Sequence, residues 1–186
     1  MKRQTLRLSV TGDSVGLRLD QFIASVDADI SRTVARKLVD LGSAHVNGRR
    51  VRKCSLVMNC HDRVEVNIDG LPLTPFKLTD GDIVYQDKFL LLINKPAGVD
   101  SQPTPSRYKG TLYAAVVDFL QNPLRKDLKP SIGMVQRLDR DTSGLILFSI
   151  HQSAHKELSR AFSERQVVKK YRAIITGQMS VENGEF

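Results

Sequence analysis

Apolar residues recur at helical spacing in LRLDQFIASV, residues 17–26, where Leu17, Leu19, Phe22, Ile23 and Val26 fall close to one side. A second helix is predicted from SRTVARKLVDLG. Ser31 suits an N-cap, Gly42 suits a C-terminal stop, and Val34, Ala35, Leu38, Val39 and Leu41 make the apolar stripe. That stripe leaves Arg32, Arg36 and Lys37 toward the other side. The period then shortens. AHVNGRRVRK sets Asn47-Gly48 between two short strand-like runs, a tight-hairpin pattern, and DRVEVNI at 62–68 alternates as a half-buried strand does. The stretch NIDGLPLTPFKLTDGD, with Gly70, Pro72, Pro75 and Gly81, breaks the patterning and reads as a linker.

Beyond the linker the chain is richer in strands. DIVYQD and FLLLINKP read as two strands joined by a turn at Gln86, Asp87 and Lys88. TLYAAVVDFLQ at 111–121 is an amphipathic helix with Tyr113, Val116, Val117 and Leu120 inward, and LRKDLKPSI is a loop. GLILFSI at 144–150 is a short buried strand, SAHKELSRAFSER at 153–165 a helix, and VKKYRAIITG a strand ending at Gly177. These patterns predict an α+β chain in two parts, at 10–70 and 83–186, with a linker over 71–82.

Composition adds the partner class. The 186 residues carry 28 Lys and Arg against 20 Asp and Glu, a formal net charge of +8, with 41% hydrophobic and 26% charged residues. This is a globular, basic chain suited to an anionic partner. The longest apolar run, FLLLI, is far too short to cross a bilayer, which needs about 20 residues. MKRQTLRLSV has no secretory pattern, and Cys54 and Cys60 cannot build a disulfide framework, so a cytoplasmic location is expected and no membrane partner.

The positive charge is concentrated. Between residues 31 and 53 stand Arg32, Arg36, Lys37, Arg49, Arg50, Arg52 and Lys53, opposed only by Asp40. Spacing of four puts Arg32 and Arg36 on one helical face, an arrangement that suits phosphates of structured RNA and equally suits a solvated surface. Here RLDQFIA followed by SRTVARKLVDLGSAHVNGRRV resembles the S-four-like RNA-binding domain, over residues 17–68. That resemblance implies two helices and a hairpin binding RNA, with Arg32, Arg36 and Lys37 on the second helix and Arg49 and Arg50 after the NG turn.

VQRLDRDTSGLILF at 135–148 concentrates two carboxylates, two arginines and two hydroxyls just before an apolar strand. A carboxylate on a tight turn beside arginine stays ionised and can act as nucleophile or base. A plain charged turn, with Asp139 and Asp141 capping local amides, explains the same residues. A DxD metal site is the weakest alternative, since phosphate-binding glycines are lacking. His151 and His155 lack the HExxH glutamate, with Gln152 in its position, and Cys54, Cys60 and His61 match no zinc spacing.

RLDRDTSGL resembles the signature of the RluA family of RNA pseudouridine synthases. NKPAG at 94–98 and KKYRAIITG at 169–177 resemble two further motifs of that family, in the family's order. The resemblance implies a partial pseudouridine synthase domain with a mixed, mainly antiparallel sheet, acting on RNA, in particular large-subunit ribosomal RNA. It implies Asp139 as the catalytic carboxylate, Arg137 as the side chain that displaces the target base, and Tyr171 as the ring that stacks on it. It implies no metal and no cofactor. Two positions depart from the family, with Gln136 before the RLD and Gln102 after the KPxG motif, where histidines are usual. Family members also continue well beyond the position of Phe186 through an HQLRxH-type motif, so the resemblance implies a C-terminally truncated chain. The alternative is a non-catalytic RNA-binding protein or ribosome-assembly factor working through residues 10–70 alone.

Overall fold

The computed structural model describes residues 1–125 and 127–178 and holds two four-stranded sheets, each with its own core. In chain order the elements are β1 (Gln4–Ser9), α1 (Leu19–Val26), α2 (Arg32–Leu41), β2 (Ala44–Val46), β3 (Arg49–Arg50), β4 (Arg63–Ile68), β5 (Ile83–Gln86), β6 (Leu90–Lys95), α3 (Leu112–Leu120), β7 (Gly133–Met134), β8 (Gly144–Ser149) and α4 (Gln152–Ser163). The first sheet runs β1-β4-β2-β3 and the second β5-β6-β8-β7. All pairs among the described residues are antiparallel, so the expected mixed sheet has no parallel pair there.

The first core forms because α1 and α2 turn one apolar face each onto the sheet. Leu19, Phe22 and Ile23 of α1 and Ala35, Leu38 and Val39 of α2 bury against Ala44, Val64, Val66 and Ile68. Burying such side chains supplies most of the drive to fold, about 1.5–3 kcal/mol for each large one. Ser31 Oγ accepts a hydrogen bond from the Val34 N–H at 3.3 Å and caps α2. Gly42, at φ 92°, ends it in the left-handed region, with its N–H donating to Leu38 and Val39 carbonyls. The hairpin between β2 and β3 turns on Asn47 and Gly48, both at positive φ.

In the second part, Leu91 and Ile93 of β6 and Ile146 and Phe148 of β8 bury against Leu112 and Val116 of α3. Thr111 Oγ1 caps α3 by accepting from the Ala114 N–H. α4 packs beside β8, where His155 bridges the Ser149 and Ser131 hydroxyls.

Two expectations differ from the structure. Gln4–Ser9 form β1, paired with β4 over its full length, so the first folded part includes residues before 10. QTLRLS alternates only weakly, and it becomes an edge strand because β4 offers a free row of hydrogen-bonding groups. Gly133–Met134, which no sequence pattern marked, form a short strand on β8. The strand expected over VKKYRAIITG does not form, and Tyr171, Ile174 and Ile175 are exposed. Strand propensity requires a neighbouring strand to bond with, and among the described residues none lies alongside. The part predicted at 83–186 ends in residues 179–186, which lie outside the described residues.

Candidate active site

The site is built where β6 ends and β8 begins. Their register sets Lys95 opposite Gly144, so the loop after Lys95 and the turn before Gly144 meet at one end of the sheet. Alternation along β6 places Lys95 on the core face with Leu91 and Ile93, and its side chain is fully buried. Its ammonium donates to the carbonyls of Pro96 (3.0 Å), Val99 (2.8 Å) and Arg140 (2.9 Å). Burial pushes the Lys95 pKa below the usual lysine value, against the opposing pull of Asp100, Asp141 and Asp139. The three carbonyls give the buried charge the partners it requires. Gly98 N–H donates to the same Arg140 carbonyl at 2.8 Å.

The flanking residue is held as firmly. Ser101 Oγ donates to the Leu138 carbonyl at 2.5 Å and accepts from the Leu138 N–H at 3.1 Å. Arg140 makes a two-point ion pair with Asp100 at 3.0 and 3.2 Å, which raises the Arg140 pKa further. Leu138 and Arg140 are therefore pinned on both sides of Asp139, and the Thr142 N–H closes a turn onto the Asp139 carbonyl at 3.2 Å. Asp139 and Asp141 themselves are exposed, their carboxylates projecting from a turn whose backbone is fixed. Sequence reading gave no role to Lys95 or Arg140, which stand in NKPAG and RLDRDTSGL, and passed over Asp100 and Ser101. The usable signal for the first was a lysine closing the apolar run LLLIN.

Arg137 and Tyr171 come together. Both line a cleft of about 470 Å³ with Met134, Gln136, Phe162 and Lys169. Asp139 lies outside that lining. Gln136 donates to the Leu145 carbonyl at 3.3 Å, which holds it along the start of β8.

The basic flank is on the first part. Arg36 and Lys37 are exposed on α2, and Arg49 is exposed on β3. Arg32, half-exposed, also reaches the buried Asp20 at 3.3 Å, where Arg18 arrives at 3.1 Å. Burial would raise the Asp20 pKa, but the hydrogen bonds and charges of Arg18 and Arg32 together hold it below the ordinary value. Arg50 differs from its neighbour. It is half-buried and donates to the Thr104 carbonyl at 2.5 Å, so its guanidinium faces the second part of the chain rather than solvent. Among the described residues no group of three His, Cys, Asp or Glu is placed to hold a metal ion, and Asp139 and Asp141 stand without a third ligand.

The chain thus combines a carboxylate on a pinned, exposed turn, an arginine and a tyrosine lining one cleft, and a helix with an exposed basic face. Residues 89–185 match the model of the RNA pseudouridylate synthase family. The chain belongs to that family. It is 30% identical to an uncharacterized RNA pseudouridine synthase of Aquifex aeolicus (strain VF5) over 97% of this chain and 57% of that protein. It is 32% identical to the uncharacterized RNA pseudouridine synthase YlyB of Bacillus subtilis (strain 168), over 90% of this chain and 55% of the relative. Identity is 31% to the ribosomal large subunit pseudouridine synthase D of Buchnera aphidicola, over 88% of this chain and 52% of the relative. The chain thus spans about half the length of the curated relatives it matches.

Proposed function

We propose that this chain carries the RNA-binding and aspartate-bearing parts of a cytoplasmic pseudouridine synthase acting on ribosomal RNA, in particular that of the large subunit. Residues 4–68 serve as an S-four-like RNA-binding module, and residues 83–178 belong to the catalytic part. Arg36, Lys37 and Arg49 contact phosphates, with Arg32 shared between RNA and Asp20. Asp139 attacks the target uridine or takes a ribose proton. Arg137 occupies the space the base leaves, and Tyr171 stacks on the uracil and assists proton transfer at its carbon 5. The isomerisation breaks one N-glycosidic bond and forms one C-glycosidic bond. It therefore needs a carboxylate against the ribose and a π surface that holds the detached ring. Extracting the base from a helix costs a few kcal/mol, which an arginine and a stacking ring offset.

The single observation that carries this reading is the turn itself. Buried Lys95, Ser101 and the Asp100–Arg140 pair spend their hydrogen bonds on Leu138 and Arg140 and leave Asp139 presented to solvent. Such preorganisation suits a reacting group. A second reading, RNA binding without turnover, is favoured by the position of Asp139 outside the cleft that Arg137 and Tyr171 line. Pseudouridine mapping on ribosomal RNA treated with wild type and Asp139→Asn separates the two. Loss of all modification with no loss of RNA affinity is expected, because the change is isosteric and removes only a negative charge. Turnover within tenfold of wild type would remove Asp139 from the chemistry, and a wild type that modifies nothing would favour binding alone.

A further inference from the structure

Residues 100–111 run from the Asp139 turn to the end of the basic helix. At the first end, Asp100 holds Arg140 and Ser101 holds Leu138. At the other, Arg107 donates twice to Asp69, at 2.6 and 2.9 Å, and the two side chains are only 7% and 9% exposed. Tyr108 and Lys109 N–H groups both donate to the carbonyl of Leu41, the last residue of α2, at 2.6 and 3.1 Å. A helix C-terminus leaves carbonyls without partners, and here the second part of the chain supplies them. Lys109 pairs with Asp40 at 2.6 Å, Arg50 bonds the Thr104 carbonyl, and the Arg52 guanidinium sits 4.7 Å from the Tyr108 ring centre. The approach is close enough that a Cβ at Gly42 would lie 3.1 Å from the Tyr108 Cβ. Between its two ends the segment is braced by paired bonds between Thr104 and Arg107.

We propose that residues 100–111 are a positioning strut that holds the basic face of α2 at a fixed distance and orientation from the Asp139 turn. An RNA substrate must then present its docking element and its target uridine at a matching separation. Substrate choice is thereby made by a span rather than by contacts at the uridine alone. This rests on the roles given above to α2 and Asp139. Asp69 and Arg107 are positioning residues, since neither reaches the Asp139 carboxylate or the exposed face of α2. A flexible tether would instead let each part bind independently, with the second contact governed by tether length.

The strut is tested on the whole chain with spin labels at Thr33→Cys on α2 and Lys156→Cys on α4, with Cys54 and Cys60 changed to serine. The wild type is expected to give one narrow distance distribution. Asp69→Asn is expected to broaden it while the amides of β4 and β6 remain protected, which shows that both sheets stay folded. The same variant should bind a labelled transcript of large-subunit ribosomal RNA roughly tenfold more weakly, because the two parts no longer engage the RNA jointly. Removing a negative charge would by itself strengthen RNA binding, so a loss reports geometry. If Asp69→Asn does not fold, Asp40→Asn combined with Tyr108→Ala makes the same test from the α2 end. A broad wild-type distribution, an unchanged distribution in a folded variant, or unchanged affinity overturns the strut. A wild type that forms no pseudouridine overturns the catalytic reading alone, since distance and affinity are measured without turnover.

Discussion

Lys95 ties the Asp139 turn to the loop that follows β6. Its ammonium is fully buried, and three backbone carbonyls from two separate loops converge on it. Lys95→Met keeps the length and the apolar stem but removes the shared donor, so each carbonyl loses a charged partner while still excluded from water. We expect a loss of about 3 kcal/mol in denaturant unfolding, given about 1.5–3 kcal/mol for a hydrogen bond to a charged group and further cost for what stays buried. Amide exchange should accelerate at 139–142 and remain unchanged through β1 and β4. Equal acceleration in both parts would show that Lys95 supports the molecule generally instead of this turn.

At the level of the element, α2 does two tasks with one amphipathic helix. Its apolar face completes the first core, while Arg36 and Lys37 on the far side make no ion pair among the described residues. Arg32 is committed differently, because it also neutralises buried Asp20. The three therefore separate by experiment. Arg36→Ala with Lys37→Ala should weaken RNA binding and reduce the salt slope by about 0.7–0.9 for each phosphate no longer neutralised, with no change in melting temperature. Arg32→Ala should lower both affinity and stability, because Asp20 keeps Arg18 alone. Titrations at several salt concentrations beside thermal melts give both readouts. An unaltered salt slope in the double variant would reduce this face to a solvated surface.

Across the whole molecule the two sheets are joined by buried charge as well as by chain. Burial would raise the Asp69 pKa, yet the Arg107 hydrogen bonds and charge and the Leu71 N–H outweigh it and hold the carboxyl below its ordinary 3.8. Asp20 is held below 3.8 in the same direction, by Arg18 and Arg32 against its burial. A carboxyl whose folded pKa is depressed binds fewer protons folded than unfolded between the two values. Its stabilisation is therefore complete above about pH 4 and disappears as pH falls through the folded value. We expect the melting temperature to drop on acidification through that window. Asp69→Asn should flatten the drop while lowering the plateau near neutrality, since the neutral side chain no longer titrates and no longer balances Arg107. A pH profile in Asp69→Asn with the wild-type slope would place the acid sensitivity elsewhere.

Local pattern was enough to predict α1, α2, the Asn47-Gly48 hairpin, β4, β5, β6, α3, β8 and α4, because each rests on periodicity, a cap or a turn residue within a few positions. It also placed the basic residues of α2 on an exposed face, since that face is the complement of an apolar stripe. Pattern could not predict β1, whose strand state depends on an edge offered by residues 63–68, nor that VKKYRAIITG would find no edge at all among the described residues. The motif RLDRDTSGL marked Asp139, but nothing nearby in sequence announces that Lys95 and Ser101, about forty positions earlier, pin its neighbours. Arg49 and Arg50 look alike as letters. One faces solvent and the other reaches Thr104, because only the packed molecule brings residues 100–111 against the end of α2. Helices, strands and turns are decided by interactions over a few residues, which a sequence displays directly. The partner of a buried charge and the span between two surfaces are decided by which distant segments share one volume, and that only the tertiary fold sets.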